Sequence, residues 1–156
     1  MILALILLGL LLTMGLALMG KQANLRRATG SAADASQALS LAWAGLEDAR
    51  AKLAKDLAFP PPGALDQLRY TYFEPVVDLD GTTVLGAYEV TVDSAWRQPP
   101  YEVLVIRSVG YAGRPESPSA RRELVAELDV AELDRTGPGD NPRLFELIRV
   151  TDFGSL

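Results

Sequence analysis

The chain has 156 residues and a formal net charge of −5, and it contains no histidine and no cysteine. These two absences exclude disulfide bonds, thiol nucleophiles and thiolate metal sites, and they remove the commonest general base and metal ligand of enzymes. We therefore expect a chain that is not an enzyme, with no catalytic residue, no cofactor and no metal centre.

The first predicted element is an apolar helix. Residues 1–19 carry no charge, and at about 1.5 Å of rise per residue a helix of this length covers roughly the 30 Å hydrocarbon core of a membrane. A cleavable secretory signal is the alternative, but such a signal has basic residues before a shorter apolar run and a small-x-small cleavage site, which are missing here. We expect residues 1–20 to form a transmembrane helix.

Four glycines in this region mark positions for close helix contact: Gly9, Gly15, Gly20 and Gly30. Helices in membranes approach each other most closely where small residues lie at the interface. Glycine is also simply frequent in membrane helices, so both interpretations of these positions are open.

Residues 21–58 are predicted to continue as an amphipathic helix. Spacings of three and four residues draw one apolar stripe along it, formed by Ala35, Leu39, Ala42, Leu46, Ala49, Leu53 and Leu57. Small alanines allow a sheet or another helix to approach closely, while the leucines fill the gaps between them. We expect this helix to pack on the rest of the protein through Leu39, Trp43, Leu46, Leu53 and Leu57. The pairs Glu47–Arg50 and Asp48–Lys52 have helical spacing and support the helix.

Charge is uneven along the chain. Residues 21–57 carry six basic and four acidic side chains, whereas residues 58–156 carry nine arginines and sixteen carboxylates. An acidic domain repels polyphosphate, so we expect no nucleic-acid partner. Arg26 and Arg27 are interpreted as interfacial anchors beside a membrane rather than as DNA contacts.

The second half of the chain is predicted to be β-structure. The prolines of Phe59–Gly63 (FPPPG) end the helix, and residues 59–66 form a linker. Residues 67–156 then form one antiparallel β domain with short loops. Strands are predicted at 68–77, 83–93, 102–111 and 122–130, with turn signals at 78–81, 98–100 and 112–118. The pattern of Leu144–Val150 fits either an edge strand or a short helix.

Two acidic stretches have the oxygen ligands that calcium prefers: Asp78 and Asp80 with Gly81, and Asp134, Asp140 and Asn141. Neither stretch supplies the six or so ligands that the ion needs. Because aspartate and glycine are also common turn residues, we interpret both stretches as ordinary turns.

Three segments carry a resemblance to a known family. The segment that begins at Ala35 (ASQALSLAWAGLEDARAKL) resembles the alanine-rich helix of PilX-like minor pilins and K-type minor pseudopilins, and residues 4–19 are similar to their mature N terminus. Residues 106–113 (IRSVGYAG) with 120–124 (ARREL) resemble the I-x-S-x-G and A-R-R hairpin of type IV pilin-like heads. The resemblance implies an α+β, pilin-like fold in which a long N-terminal helix packs on a small antiparallel sheet.

The same resemblance implies a structural subunit of a type IV pilus or a related secretion filament, at or near the tip, that assists the initiation of assembly. Its partners would be other pilin or pseudopilin subunits, the bacterial inner membrane before assembly, and a prepilin peptidase if a leader exists. The head would lie outside the cytoplasm on a single-pass helix.

Two N-terminal residues depart from the family pattern. Leu5 occupies the position at which major pilins usually carry glutamate, which implies a minor or tip-initiating subunit rather than a shaft subunit. Met1 is either the mature residue left by a prepilin peptidase or a start that differs from the family numbering.

One signal conflicts with this orientation of the head. Lys21, Arg26 and Arg27 follow the apolar run, and the positive-inside rule would place the head in the cytoplasm. The alternative function is a single-span, membrane-anchored binding or scaffolding module that does not enter a filament.

Overall fold

The computed structural model describes residues 2–56, 59, 68–135 and 137–155, without the side chains of residues 2–8, 10, 17 and 155. Within these residues the chain forms one long helix followed by five strands: α1 (Ile2–Lys55), β1 (Arg69–Val77), β2 (Val84–Asp93), β3 (Val103–Arg114), β4 (Ser117–Asp129) and β5 (Leu147–Ser155). The chain divides into two compact units, Met1–Ala33 and Asp34–Leu156. Helix α1 ends at Lys55, and most of the predicted linker lies outside the described residues.

The five strands form one antiparallel sheet in the order β1-β2-β3-β4-β5. Each strand therefore pairs with its neighbour in sequence, so the sheet is a meander, and the predicted antiparallel β-structure is confirmed. Pairs such as Tyr72 with Val90 and Val90 with Ser108 set the register, so that one face of the sheet collects the apolar residues. Of the undecided segment Leu144–Val150, residues 147–150 belong to strand β5, which pairs with β4, and residues 144 and 145 lie in the turn before it.

The predicted long turn at 112–118 is wrong. Strand β3 continues to Arg114 and β4 begins at Ser117, so the turn itself is only Pro115 and Glu116. Gly113 has a φ of 78°, and the register shifts between Ala112 and Gly113. Because glycine adopts this left-handed conformation without steric cost, the ladder continues past the irregularity.

The core lies between the second half of α1, in Asp34–Leu156, and one face of the sheet. Buried helix residues are Ala38, Leu41, Ala42, Leu46, Ala49 and Leu53, and buried sheet residues include Val90, Val92, Leu104, Ile106, Leu124, Ala126 and Leu128. Each leucine or isoleucine buried in this way contributes roughly 1.5 to 3 kcal/mol relative to an exposed position. The expected α+β arrangement, with a helix packed on an antiparallel sheet, is confirmed.

Helix and sheet approach each other closely because small residues face each other. A Cβ atom added at Gly110 of β3 would overlap the Ala38 carbonyl oxygen and the Ala42 nitrogen, both backbone atoms of the helix. A Cβ atom at Gly45 would overlap Ser108 Oγ and would lie 3.0 Å from Tyr88 Cδ2. These positions therefore fix how near the helix axis lies to the sheet.

Candidate functional site

The first candidate surface is the N-terminal part of α1, within Met1–Ala33. Its large apolar side chains are exposed at Leu11, Leu12, Met14, Leu16, Leu18, Met19 and Leu25. Because successive helical residues are rotated by about 100°, these side chains spread over roughly 200° of the helix circumference, which is wider than a single stripe. Residues 1–19 also contain no charged side chain. A helix without a charged face is typical of a segment that lies in a membrane or is surrounded by other chains.

The predicted glycine positions lie on this same surface. Apart from the chain neighbours and the adjacent helix backbone, a Cβ atom added at Gly9, Gly15, Gly20 or Gly30 would meet no described atom within 4 Å. All four therefore present open backbone to whatever covers the helix. Met1 lies outside the described residues, and Leu5 belongs to α1 while its side chain is not described.

Within the part of the chain whose side chains are described, no helix combines the length and the apolar character needed to cross a membrane. The undescribed side chains include those of residues 1–8, 10 and 17, which belong to the uncharged N-terminal run.

The residues predicted to join the helix to the sheet fall into three groups. Leu46 and Leu53 are fully buried in the core, and Leu39 is partly buried against it. Trp43 is 40% exposed and is not part of the core; at 3.6 residues per turn it lies on the flank of the helix, one position past Ala42. Leu57 lies outside the described residues.

The sequence pattern also missed part of the packing face. Ala38, Leu41 and Gly45 are buried although the predicted stripe did not include them. Their spacing of three and four residues is visible in the sequence, but alanine and glycine carry a weak hydrophobic signal. The packing face is therefore wider than a stripe drawn through leucines.

A polar cluster on one flank of α1 ties the helix to β1 and β2. It consists of Asp48, Lys52, Tyr72, Glu74 and Tyr88. Lys52 Nζ donates to Asp48 Oδ2 at 2.7 Å and to Glu74 Oε1 at 2.5 Å. The Tyr72 hydroxyl donates to Asp48 Oδ2 at 2.8 Å, and the Tyr88 hydroxyl donates to Glu74 Oε2 at 3.1 Å. The Lys52 ammonium also lies 4.0 Å from the centre of the Tyr72 ring.

Protonation in this cluster is coupled to packing. Partial burial, followed by the nearby Asp48 carboxylate, raises the pKa of Tyr72 above its ordinary value. Partial burial likewise raises the pKa of Tyr88, with Asp48 and Glu74 adding to it. For Lys52, burial lowers the pKa, but its hydrogen bonds to Asp48 and Glu74 outweigh burial and the pKa is raised. The cluster therefore favours one charged lysine between two carboxylates, an arrangement that suits a structural clamp.

The first acidic stretch forms a turn that satisfies its own carboxylates. Asp80 Oδ1 accepts from the backbone nitrogens of Thr82 at 2.8 Å and Thr83 at 2.9 Å. These hydrogen bonds hold the pKa of Asp80 well below its usual range, and the bond from the Thr83 backbone N–H has the largest effect. Gly81 has a φ of 70° and donates its N–H to the Asp78 carbonyl at 2.9 Å. The geometry is that of a hydrogen-bonded turn.

The second acidic stretch belongs to a loop organised by a buried carboxylate. Asp129 is 4% exposed and accepts from the Arg135 guanidinium at 3.1 and 3.2 Å. Arg135 also donates to the Tyr101 carbonyl at 2.8 Å, and Asn141 Nδ2 donates to the Ala131 carbonyl at 2.9 Å. Among the described residues, no group of three acidic side chains is arranged to hold a metal ion.

An aromatic pair is exposed at the loop between β2 and β3. The rings of Trp96 and Tyr101 lie edge to face with centres 4.9 Å apart, and these residues are 52% and 57% exposed. Exposed Trp and Tyr side chains are typical of protein contact surfaces. The sequence pattern gave the turn at this place but not the pairing of the two rings.

Comparison with protein-family models, curated proteins and solved structures finds no match to this chain. Function is therefore inferred from the exposed apolar side chains of α1 and from the small residues of its packing face.

Proposed function

We propose that this chain is a structural filament subunit, a minor pilin or pseudopilin of a type IV pilus or a related secretion filament, with a pilin-like fold. The observation that carries the proposal is the single helix α1 of 54 residues. Its N-terminal part exposes large apolar side chains over roughly 200° of its circumference. Its C-terminal part packs through small residues on an antiparallel meander.

The exposed apolar side chains of α1 need to be shielded from water. Large apolar areas in contact with water are rare in monomeric proteins, and they mark sites of membrane or protein contact. A bilayer covers the helix of a stored subunit, and the helices of neighbouring subunits cover it after assembly. The open glycines support contact with the helices of neighbouring subunits, because glycine permits close helix approach.

The charge pattern supports a position near the tip. No carboxylate occurs before Asp34, so Leu5 supplies no partner for the terminal amine of a neighbouring subunit. A subunit without this carboxylate lacks the ion pair that would favour repeated stacking along a shaft. We therefore place it at or near the tip, where it assists the initiation of assembly.

The proposed location is the bacterial inner membrane, as a single-pass protein with its head outside the cytoplasm, and then the pilus or pseudopilus. The proposed span rests on the sequence of residues 1–19, which carries no charge and is long enough as a helix to cross the hydrocarbon core. A prepilin peptidase would act on a precursor that carries a leader. The positive charges after the run oppose this orientation, and a basic leader would balance them.

The second candidate is a membrane-anchored binding or scaffolding module that does not enter a filament. The exposed Trp96 and Tyr101 pair favours it, because such a pair offers a rigid contact for a partner protein. Both candidates use the same N-terminal helix, so only the surroundings of that helix in the cell separate them.

Photo-crosslinking tests the proposal. A photoreactive phenylalanine analogue replaces Leu12, which is 58% exposed on α1, and the control carries it at Leu79, which is fully exposed in the turn after β1. In sheared filaments, the probe at position 12 should link the chain to another pilin-like subunit, and the probe at 79 should not. Recovery of the chain only in membranes, with pili and secretion unchanged after gene deletion, would favour the binding module.

A further inference from the structure

The residues directly after the apolar run form a basic belt, defined as Lys21, Arg26 and Arg27. They are the only charged residues of Met1–Ala33, which therefore carries a net charge of +3. The unit Asp34–Leu156 carries 12 basic and 20 acidic side chains. All three belt residues are exposed, and among the described residues none of them has an ion-pair partner.

The belt surrounds the helix instead of marking one side of it. At about 100° per residue, Arg26 and Arg27 lie roughly 140° and 240° around the axis from Lys21. A helix that lies flat on a membrane carries its cations on a single polar face. A neighbouring protein subunit likewise contacts a helix mainly from one side. A belt in all directions fits a surrounding layer of anions.

The depth of the belt also fits such a layer. Twenty residues before Lys21 cover about 30 Å, the thickness of the hydrocarbon core. The belt itself extends over about 9 Å of the helix axis. The headgroup layer on each side of the core is roughly 5 to 8 Å thick. When the uncharged run spans the core, Lys21 therefore lies at the inner edge of the headgroup layer, and Arg26 and Arg27 lie at about its outer edge.

We propose that the basic belt binds the phosphate groups of anionic phospholipids in the headgroup layer next to the apolar helix. The inference rests on the membrane residence put forward under Proposed function, and it adds the class of lipid that surrounds the stored subunit. Each basic residue near an anionic surface increases lipid association roughly fivefold at moderate ionic strength. Three of them in one layer define an anionic lipid shell that salt weakens.

Lipid selectivity measured by spin-label resonance tests the belt. The full chain is reconstituted into phosphatidylcholine vesicles that contain spin-labelled phosphatidylglycerol or spin-labelled phosphatidylcholine as the probe. The test variant is Lys21→Gln with Arg26→Gln and Arg27→Gln. The matched control, Lys55→Gln with Arg114→Gln and Arg143→Gln, removes three exposed cations from the other unit. Resistance to alkaline extraction reports insertion separately.

The wild-type chain and the control should both enrich phosphatidylglycerol over phosphatidylcholine by about fivefold or more, and high salt should reduce this preference. The belt variant should stay inserted and lose the preference. An inserted wild-type chain without lipid preference would overturn the belt while leaving membrane residence intact. A salt-sensitive dimer, in which the belt of one copy binds the acidic unit Asp34–Leu156 of a second copy, would also overturn lipid binding by the belt. A chain that alkaline treatment extracts from both vesicle types would overturn membrane residence itself.

Discussion

Gly45 of α1 lies directly against Ser108 of β3, so closely that a Cβ atom on the glycine would overlap the serine oxygen. Ser108 is fully buried, and its hydroxyl has no hydrogen-bond partner in the described part of the chain. Small size, rather than hydrogen bonding, therefore explains both residues. The pair sets the distance between helix and sheet and gives the first two predictions.

Gly45→Ala should destabilise the fold although alanine favours a helix. The gain in helix propensity is about 1 kcal/mol, whereas overpacking a core costs about 1 to 3 kcal/mol. The added methyl group meets three sheet side chains, those of Tyr88, Val90 and Ser108. Urea unfolding of a fragment that begins at Ala28 measures the change. Gly30→Ala is the control, because nothing lies near that position, and it should be neutral or stabilising.

Ser108→Ala should be neutral or stabilising by about 1 kcal/mol, because it removes a buried hydroxyl that lacks a partner. It should also relieve part of the Gly45→Ala defect, since the serine oxygen is the atom nearest to the added methyl group. The double-mutant cycle should therefore show a coupling of about 0.5 to 3 kcal/mol. Strictly additive effects in the urea experiment would contradict the direct contact.

Stability should fall at alkaline pH because of the polar cluster. Folding raises the pKa values of Tyr72 and Tyr88 above 10.0 and that of Lys52 above 10.5. Above about pH 10 the unfolded chain loses these protons while the folded chain keeps them, so the free energy of unfolding decreases as pH rises. The contribution is fully present below that pH. Tyr72→Phe should make the decline shallower in denaturant titrations, and Tyr101→Phe, outside the cluster, should leave its slope unchanged.

Leu10→Arg should remove the chain from membranes. An arginine at the centre of a spanning helix costs roughly 2.5 to 3.5 kcal/mol of insertion free energy. Cell fractionation compares it with Leu25→Arg, which makes the same change on the same helix beyond the uncharged run. Wild-type amounts of Leu10→Arg in the membrane fraction would contradict the proposed span.

Gly15→Ile should impair assembly without affecting the isolated subunit. Apart from its chain neighbours and the adjacent helix backbone, no described atom lies within 4 Å of a Cβ atom placed at Gly15, so a larger side chain meets no described side chain of the same molecule. In a filament core it would separate neighbouring helices. The variant should insert and fold normally but be depleted from sheared filaments, and Gly15→Ala should show a smaller loss. Normal incorporation of Gly15→Ile would remove the assembly argument for this glycine.

Local sequence signals predicted the strands well because the alternating pattern reports which side of a strand faces the core. The pairs Glu47–Arg50 and Asp48–Lys52 were also predicted from helical spacing, and both are present, at 3.2 and 2.7 Å. The second partner of Lys52 was not predicted. Glu74 is 22 residues away, and only the folded sheet brings it to the helix.

Two of the missed features, both on the helix, share one physical cause. The burial of Gly45 and the exposure of Trp43 depend on how the helix is rotated on the sheet, and the smallest side chains determine that rotation. Hydrophobic periodicity weights large apolar residues, so it placed the face too near Trp43. The ring pair of Trp96 and Tyr101 depends on a loop conformation, which periodicity does not report.

The sequential strand order has a kinetic consequence. Three of the four strand pairings close connections of two to nine residues, and only the β4–β5 pairing closes a longer one, of 17 residues. The sheet therefore forms mainly from local hairpins at low entropic cost. The helix contact between Gly45 and Ser108 spans a much longer loop and must form after the strands are in place. We therefore expect changes at this contact to accelerate unfolding while leaving the folding rate nearly constant. During synthesis, α1 leaves the ribosome before the five strands, so its packing face has no partner until the sheet has formed.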